Sequence, residues 1–151
     1  MNKLLTSIAL SLVTLLSVPA ANAQATPATA AASNTLYAAL GEKEGIQRVV
    51  QDFTARLLKD ARMKPFFEKA NIRRLNEQLV DQFCAVSGGP CVYKGADMKT
   101  AHGNMDITKA DFNALVEVLQ QSMDAQGIGF ADQNRLLARL APMHRDTITV
   151  Q

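Results

Sequence analysis

The side chains best suited to chemistry in this sequence are two histidines and two cysteines, His102, His144, Cys84 and Cys91. An apolar residue, Met98, lies four positions before His102, and Gly103 follows it. A neutral imidazole at the end of such a short turn can ligate a metal. The alternative for His102 is a half-buried histidine that bonds to the backbone. His144 lies among arginines near the C-terminus, and we expect it to be solvated.

The two cysteines flank a Gly-Gly-Pro turn, with six residues between them. A chain reversal can bring their Cα atoms to the separation of about 4.4–6.8 Å that a disulfide requires. We therefore expect a structural Cys84–Cys91 disulfide, and a redox-active dithiol is the alternative, although no basic residue adjoins either thiol. The spacing of the cysteines and histidines matches no recognised zinc site. The sequence contains no Cys-x-x-Cys-His motif, so covalent attachment of a haem through that motif is excluded.

Composition limits the classes of function that are open to the chain. Its 151 residues suffice for one ordinary domain. The 16 Lys and Arg residues nearly balance the 14 Asp and Glu residues, which argues against a nucleic-acid-binding surface because phosphate contacts need clustered cations. Hydrophobic residues make up 48% of the chain, so we expect a folded core.

The N-terminus resembles a secretory signal. Lys3 precedes an apolar stretch of about 15 residues, and Ala21-Asn22-Ala23 fits the small-x-small cleavage pattern. The alternative is an uncleaved membrane anchor, but the stretch is shorter than the ~20 residues that span a bilayer. We predict a signal peptide over residues 1–23, cleavage after Ala23 and export to the periplasm without a membrane span.

Cleavage leaves 128 residues. Residues 24–34 are rich in Ala and Thr and carry no charge, which predicts a flexible leader. The folded domain is then residues 35–151.

Helical periodicity dominates that domain, and no segment shows convincing strand alternation. Apolar residues recur at helical spacing in four segments, which are residues 46–57, 72–86, 112–123 and 136–143. Thr108 and Asp111 predict a helix start, and Pro142 predicts a kink or an ending in the last helix. We expect an all-α domain with one long irregular connection, Cys91–Ile107, and such loops are commonly functional.

Several short motifs, taken together, are similar to those of the group I truncated haemoglobins over residues 35–146. They are Leu36-Tyr37, Leu40-Gly41, Phe66-Phe67, Gly88-Gly89-Pro90, Tyr93-x-Gly95-x-x-Met98-x-x-Ala101-His102, Ile107-x-x-x-x-Phe112 and Leu136-Leu137-Ala138-x-Leu140-Ala141-Pro142.

The resemblance implies a globin-like two-over-two helical sandwich around haem b, with His102 as the proximal ligand of the iron. Phe67 would then pack on the haem face, and Thr54 would lie on the distal side. The resemblance assigns the remaining walls to apolar residues, for each of which plain core packing is the alternative: Leu75, Leu79 and Phe83 on the distal side, and Met98, Ile107, Phe112 and Val116 elsewhere. Arg73, Arg74 and Lys99 are candidate partners of the haem propionates by charge.

Two departures from the family pattern concern the distal side. Many members carry a Tyr where this chain has Thr54, and a Gln where it has Leu79. A Tyr hydroxyl and a Gln amide would hydrogen-bond to dioxygen in the pocket. The departures predict a less polar pocket that releases dioxygen fast and favours CO and NO, unless Gln78 or Gln82 substitutes.

The resemblance implies reversible binding of O2, NO and CO for oxygen carriage, sensing or NO detoxification. No flavin or nicotinamide domain fits in 128 residues, so detoxification would need an external electron donor. One alternative is a six-coordinate electron-transfer module in which Met98 or Met105 is a second iron ligand. The other is a haem-free helical adaptor with a structural disulfide.

Overall fold

The computed structural model describes residues 35–150. The predicted signal peptide, residues 1–23, and the predicted leader, residues 24–34, lie outside the described residues. Within residues 35–150, no helix is both long and apolar enough to cross a membrane.

The described residues form helices and no strand, which confirms the all-α prediction. In chain order the helices are α1 (Leu36–Ala39), α2 (Glu42–Leu57), α3 (Lys64–Phe67), α4 (Ile72–Val86), α5 (Met98–His102), α6 (Lys109–Ala125), α7 (Phe130–Leu140) and α8 (His144–Thr147). A 3-10 turn, Ala141–Met143, joins α7 to α8. It begins at the residue before Pro142, as expected from the restricted backbone of proline.

The core forms where α2 packs against α4 and α6. Because Ile46, Val49, Val50, Phe53 and Leu57 recur at helical spacing, they share one buried face of α2. That face meets buried apolar residues of α4 and α6, such as Val80, Phe83, Ala114 and Val118.

The turn between α1 and α2 needs backbone conformations that favour glycine. Gly41 has φ +77° and Glu42 has φ +57°, the left-handed region that costs a non-glycine residue energy. At Gly45 a Cβ atom would lie only 2.0 Å from the carbonyl oxygen of Leu40. Glycine therefore allows the end of α1 to approach the first turns of α2.

Capping side chains fix the starts of two longer helices. Asn71 accepts from the Arg74 backbone N–H at the start of α4, at 3.1 Å. At α6, the Thr108 hydroxyl accepts from the Asp111 backbone N–H, and the Asp111 carboxylate accepts in return from the Thr108 backbone N–H. The predicted helix start at Thr108 is confirmed.

A disulfide joins the end of α4 to the long connection that follows it. Cys84 and Cys91 are bonded, with their Cα atoms 5.7 Å apart, which confirms the predicted pairing. The Cys84 side chain is fully buried, so the connection is attached directly to the core. From there the chain runs to α5, the short helix that ends in His102.

Candidate functional site

A cavity of about 480 Å³ lies between α4, α5, α6 and the α7–α8 segment. Its size falls within the range of small-molecule and cofactor pockets, roughly 300–1,000 Å³. The walls are predominantly apolar, and they come from segments as distant in sequence as Phe53 and Thr147.

His102 lines this cavity from the last position of α5. Its ring Nδ1 lies 2.8 Å from the carbonyl oxygen of Met98, one turn earlier. Since a carbonyl only accepts, Nδ1 carries a proton, and in the neutral imidazole the lone pair then lies on Nε2. A histidine that is held in this way by the backbone is oriented to ligate a metal through its other nitrogen.

The start of α5 is fixed by Asp97. Its carboxylate accepts from the Thr100 backbone N–H at 2.9 Å and from the Thr100 hydroxyl at 2.8 Å. These hydrogen bonds to the ionised form lower the pKa of Asp97 below its ordinary value. The cap therefore defines the first turn of the helix that carries His102.

The residues around the cavity fit a haem. One imidazole is the protein ligand that haem iron takes in globins, and the apolar walls suit the body of a porphyrin. Arg74 and Lys94 also line the cavity, and their positive charges would suit the carboxylates of a porphyrin. The described residues hold no cluster of three His, Cys, Asp or Glu that would bind a bare metal ion.

Seven of the residues assigned to the pocket from sequence share this cavity wall. They are Leu75, Leu79, Phe83, Met98, His102, Phe112 and Val116. Their contacts with a haem remain a prediction, but the fold brings all of them together.

Three assigned residues lie away from the wall. Thr54 is buried and its hydroxyl donates to the Val50 carbonyl at 3.0 Å, so it turns toward its own helix, as helical threonines often do. Phe67 is partly buried and packs against the core. Ile107 is buried, and its backbone carbonyl accepts from Thr149 at 2.9 Å, which ties it to the C-terminal segment.

Two glutamines of α4, Gln78 and Gln82, also line the cavity. The sequence places them with Leu75 and Leu79 at positions i, i+3, i+4 and i+7, the spacing of one helical face. Gln82 is only 8% exposed, and its Nε2 lies 3.4 Å from the Met143 sulfur. Gln78 has a buried Oε1 with no hydrogen-bond partner among the described residues.

The three residues that were predicted as partners of the haem propionates lie in different places. Arg74 lines the cavity, whereas Arg73 lines a separate groove between α2 and α4. Lys99 is exposed and is not among the lining residues. Lys94, which the sequence did not indicate, lies in the irregular connection and lines the cavity as Arg74 does.

The expectation that His144 is solvated is wrong. His144 is half-buried, and its ring meets Phe112 edge-on, with centroids 4.7 Å apart and planes at 85°. The turn at Pro142 ends α7 and sends the chain into α8, which packs beside α5. This reversal brings His144 against the start of α6.

The methionines considered as second iron ligands do not oppose His102. Met98 belongs to the same five-residue helix as His102, so both side chains extend from one wall. Met105 is half-buried and does not belong to the set of lining residues. Neither Met98 nor Met105 therefore faces His102 from the opposite wall of the cavity.

Comparison with known proteins agrees with this geometry. The family model described as "Bacterial-like globin" matches residues 35–149. The group 1 truncated haemoglobin GlbN of Mycolicibacterium paratuberculosis is 31% identical over 115 residues, which cover 76% of this chain and 85% of that protein. The group 1 truncated haemoglobin of Tetrahymena pyriformis is 31% identical over 94 residues, which cover 62% of this chain and 78% of that protein.

Solved structures give the same result at the level of the fold. The truncated haemoglobin of Tetrahymena pyriformis in its Fe(III) form superposes with a TM-score of 0.72 at 28% identity, over 76% of this chain and 97% of the other. The 2/2 haemoglobin of a Synechococcus superposes with a TM-score of 0.70 over 76% of this chain and 98% of the other, at 21% identity. The chain therefore belongs to the bacterial-like globin family, among the truncated haemoglobins with the two-over-two helical fold.

Proposed function

We propose that this protein is an exported haem b protein that reversibly binds O2, NO and CO, with His102 as the protein ligand of the iron. Haem-based gas binding is the general function of the family. One observation carries the assignment to His102: its Nδ1 is held by the Met98 carbonyl at 2.8 Å, while the ring borders the cavity.

When bound, haem b supplies an iron with an open position that takes up a diatomic gas reversibly. The chain supplies the surroundings. The Met98 carbonyl keeps the proton of His102 on Nδ1, so that Nε2 is free to ligate. Apolar side chains such as Leu75, Leu79 and Phe83 line the cavity and would disfavour water there. Arg74 and Lys94 would attract the carboxylates of the porphyrin edge.

The proposed physiological role is carriage or sensing of a gas, or detoxification of NO. The detoxifying role would also need an external electron donor to reduce the iron again after each turnover. Gas binding at the cavity is common to all three roles.

The binding proposal is tested by titrating the apoprotein with haemin. We expect uptake of one haem per chain, followed after reduction by reversible spectral changes with O2, CO and NO. Addition of an NADH-dependent reductase then distinguishes catalytic NO consumption from simple binding. A chain that takes up no haem stoichiometrically would contradict the proposal and would favour the haem-free adaptor.

We also propose export to the periplasm with cleavage after Ala23. The support is the signal pattern over residues 1–23 and the Cys84–Cys91 disulfide, since disulfides persist in oxidising compartments. In a Gram-negative host, the protein recovered from the periplasm should have the mass expected for a chain that begins at Gln24. Ala23→Arg should block this processing. Recovery of the uncleaved chain from the cytosol would contradict export.

A further inference from the structure

The helix that carries His102 is short, and it packs beside α8. α5 is only five residues long, and none of these residues, all within the described part of the chain, is fully buried. Its cap, Asp97, bonds to Thr100 and so holds the helix together internally. Besides its packing on α8, the side-chain contacts of α5 with α4 bear on its position relative to the cavity.

Gln82 of α4 makes one of these contacts. Its amide Nε2 lies 3.7 Å from the Met98 sulfur and 3.4 Å from the Met143 sulfur. The side chain is thus directed at the first residue of α5 and at the turn before α8. Gln82 is also a cavity-lining residue, so the contact spans from the α4 wall to the wall that holds His102.

The contact is unusual because a buried amide meets two weak acceptors. Gln82 is 8% exposed, and a thioether sulfur accepts hydrogen bonds only weakly. A buried polar group without a strong partner is costly, and in a native protein it calls for an explanation. The two sulfurs are the hydrogen-bond partners that the structure gives this amide.

Met98 connects this contact to the iron ligand. The same residue that presents its sulfur to Gln82 offers its carbonyl oxygen to Nδ1 of His102, at 2.8 Å. We propose that Gln82 is a positioning residue for His102, acting through Met98 to fix the direction in which Nε2 faces the cavity. The inference rests on the proposed function, since it concerns His102 as a haem ligand.

A matched pair of variants tests the proposal. Gln82→Met keeps the side-chain length and removes the amide. The control is Gln133→Met, which removes another buried amide, one that donates to Asp124 and to the Ile128 carbonyl away from the cavity. Both proteins are loaded with haem, and the iron–histidine stretching band of the reduced form is recorded by resonance Raman.

We expect Gln82→Met to shift or broaden that band and to speed haem loss about tenfold, the lower end of the effect of outer-shell partners on metal affinity. Gln133→Met should lower the unfolding midpoint and leave the band unchanged. In the apoprotein, the ¹⁵N shifts of the His102 ring should change with Gln82→Met only. An unchanged band, rate and ring shift in folded Gln82→Met would overturn the inference.

Met98→Leu removes the same contact from the other side and retains the Met98 carbonyl, so it tests the proposal even where Gln82→Met does not fold. Its band should shift in the same direction. The double variant, Gln82→Met with Met98→Leu, should speed haem loss no more than either single variant does, because both substitutions remove the same contact. Additive effects would overturn the proposed link. Failure of the wild type to bind haem would instead overturn the proposed function itself.

Discussion

At the scale of single residues, the side of the cavity formed by α4 offers a gas few hydrogen bonds. Leu75 and Leu79 present apolar side chains there. The Thr54 hydroxyl is already engaged by the Val50 carbonyl within α2. Gln82 directs its amide at two sulfurs, which leaves Gln78 as the remaining glutamine on this wall.

We therefore predict that dioxygen leaves this protein fast, and that Leu79→Gln slows its release. One added hydrogen bond to a polarised ligand is worth about 1.5–3 kcal/mol, so the rate should fall about tenfold to a hundredfold. Stopped-flow displacement of dioxygen by CO measures this rate. CO release should change little, because CO accepts hydrogen bonds poorly. Slow release by the wild type, as in relatives with Tyr and Gln, would contradict the prediction.

The sequence predicts a ligand role for His102 but does not indicate the positioning role that we propose for Gln82. The motif around His102 is contiguous and includes the methionine whose carbonyl holds it. Gln82, by contrast, meets Met98 and Met143 at separations of 16 and 61 residues. Pairings over such distances depend on how α5 and α8 fold back. Thr54 lies away from the cavity wall for a local reason, because its hydroxyl donates to the carbonyl of Val50, one turn earlier in α2.

At the scale of elements, helical periodicity predicted the long helices well. The stripes on α2, α4 and α6 are regular, and each buries one face. The last predicted helix is divided at Pro142 into α7, a 3-10 turn and α8. The bounds of α5 could not be predicted from periodicity. The helix has five residues, all of them described, and none is buried, so its sequence carries no apolar stripe.

The capping box of α6 gives a prediction about stability. Thr108→Ala removes the side chain that accepts from the Asp111 N–H and should lower the free energy of unfolding by about 1 kcal/mol. Thr108→Ser retains the hydroxyl and serves as the control. Urea denaturation measures both. Equal midpoints for the alanine variant and the wild type would show that the cap contributes nothing.

The cap of α5 gives a prediction about pH. The pKa of Asp97 is lowered in the folded chain by hydrogen bonds from the Thr100 backbone and hydroxyl. A lowered pKa means that this stabilisation is fully present above the ordinary value of 3.8 and is lost as the pH falls through the lowered value. Asp97→Asn retains a side chain that can cap the helix but does not titrate. Between these two pH values, the fraction of haem retained should therefore fall more steeply with pH for the wild type than for Asp97→Asn. Identical profiles would contradict the prediction.

At the scale of the whole molecule, the disulfide ties the irregular connection to the core. Replacing Cys84 and Cys91 with serine releases a short loop, and the loop-entropy model gives a loss of about 2–3 kcal/mol in stability. Urea unfolding of the double variant beside the wild type measures the loss, and unfolding of the wild type with a reductant is the second control. An unchanged unfolding midpoint would mean that packing around Cys84 holds the loop without the bond.

The sequence predicted the fold class and part of the cavity wall, but not the cavity itself. Its walls come from α2, α4, α5, α6 and the α7–α8 segment, and their convergence follows from packing rather than from any local pattern. Lys94 and Tyr93 reach the cavity from the irregular connection. Their positions depend on the path of that connection after the disulfide.

Absorbance spectroscopy of the reconstituted protein tests the claim that His102 holds a haem iron. The wild-type protein, His102→Ala and His144→Ala are reconstituted with haemin, reduced and exposed to CO. His144 is the second of the two histidines in the sequence and controls for the loss of an imidazole. We expect a strong Soret band in the wild type and His144→Ala, and its collapse or shift in His102→Ala. A wild type without stoichiometric haem, or a His102→Ala spectrum identical to that of the wild type, would contradict the claim.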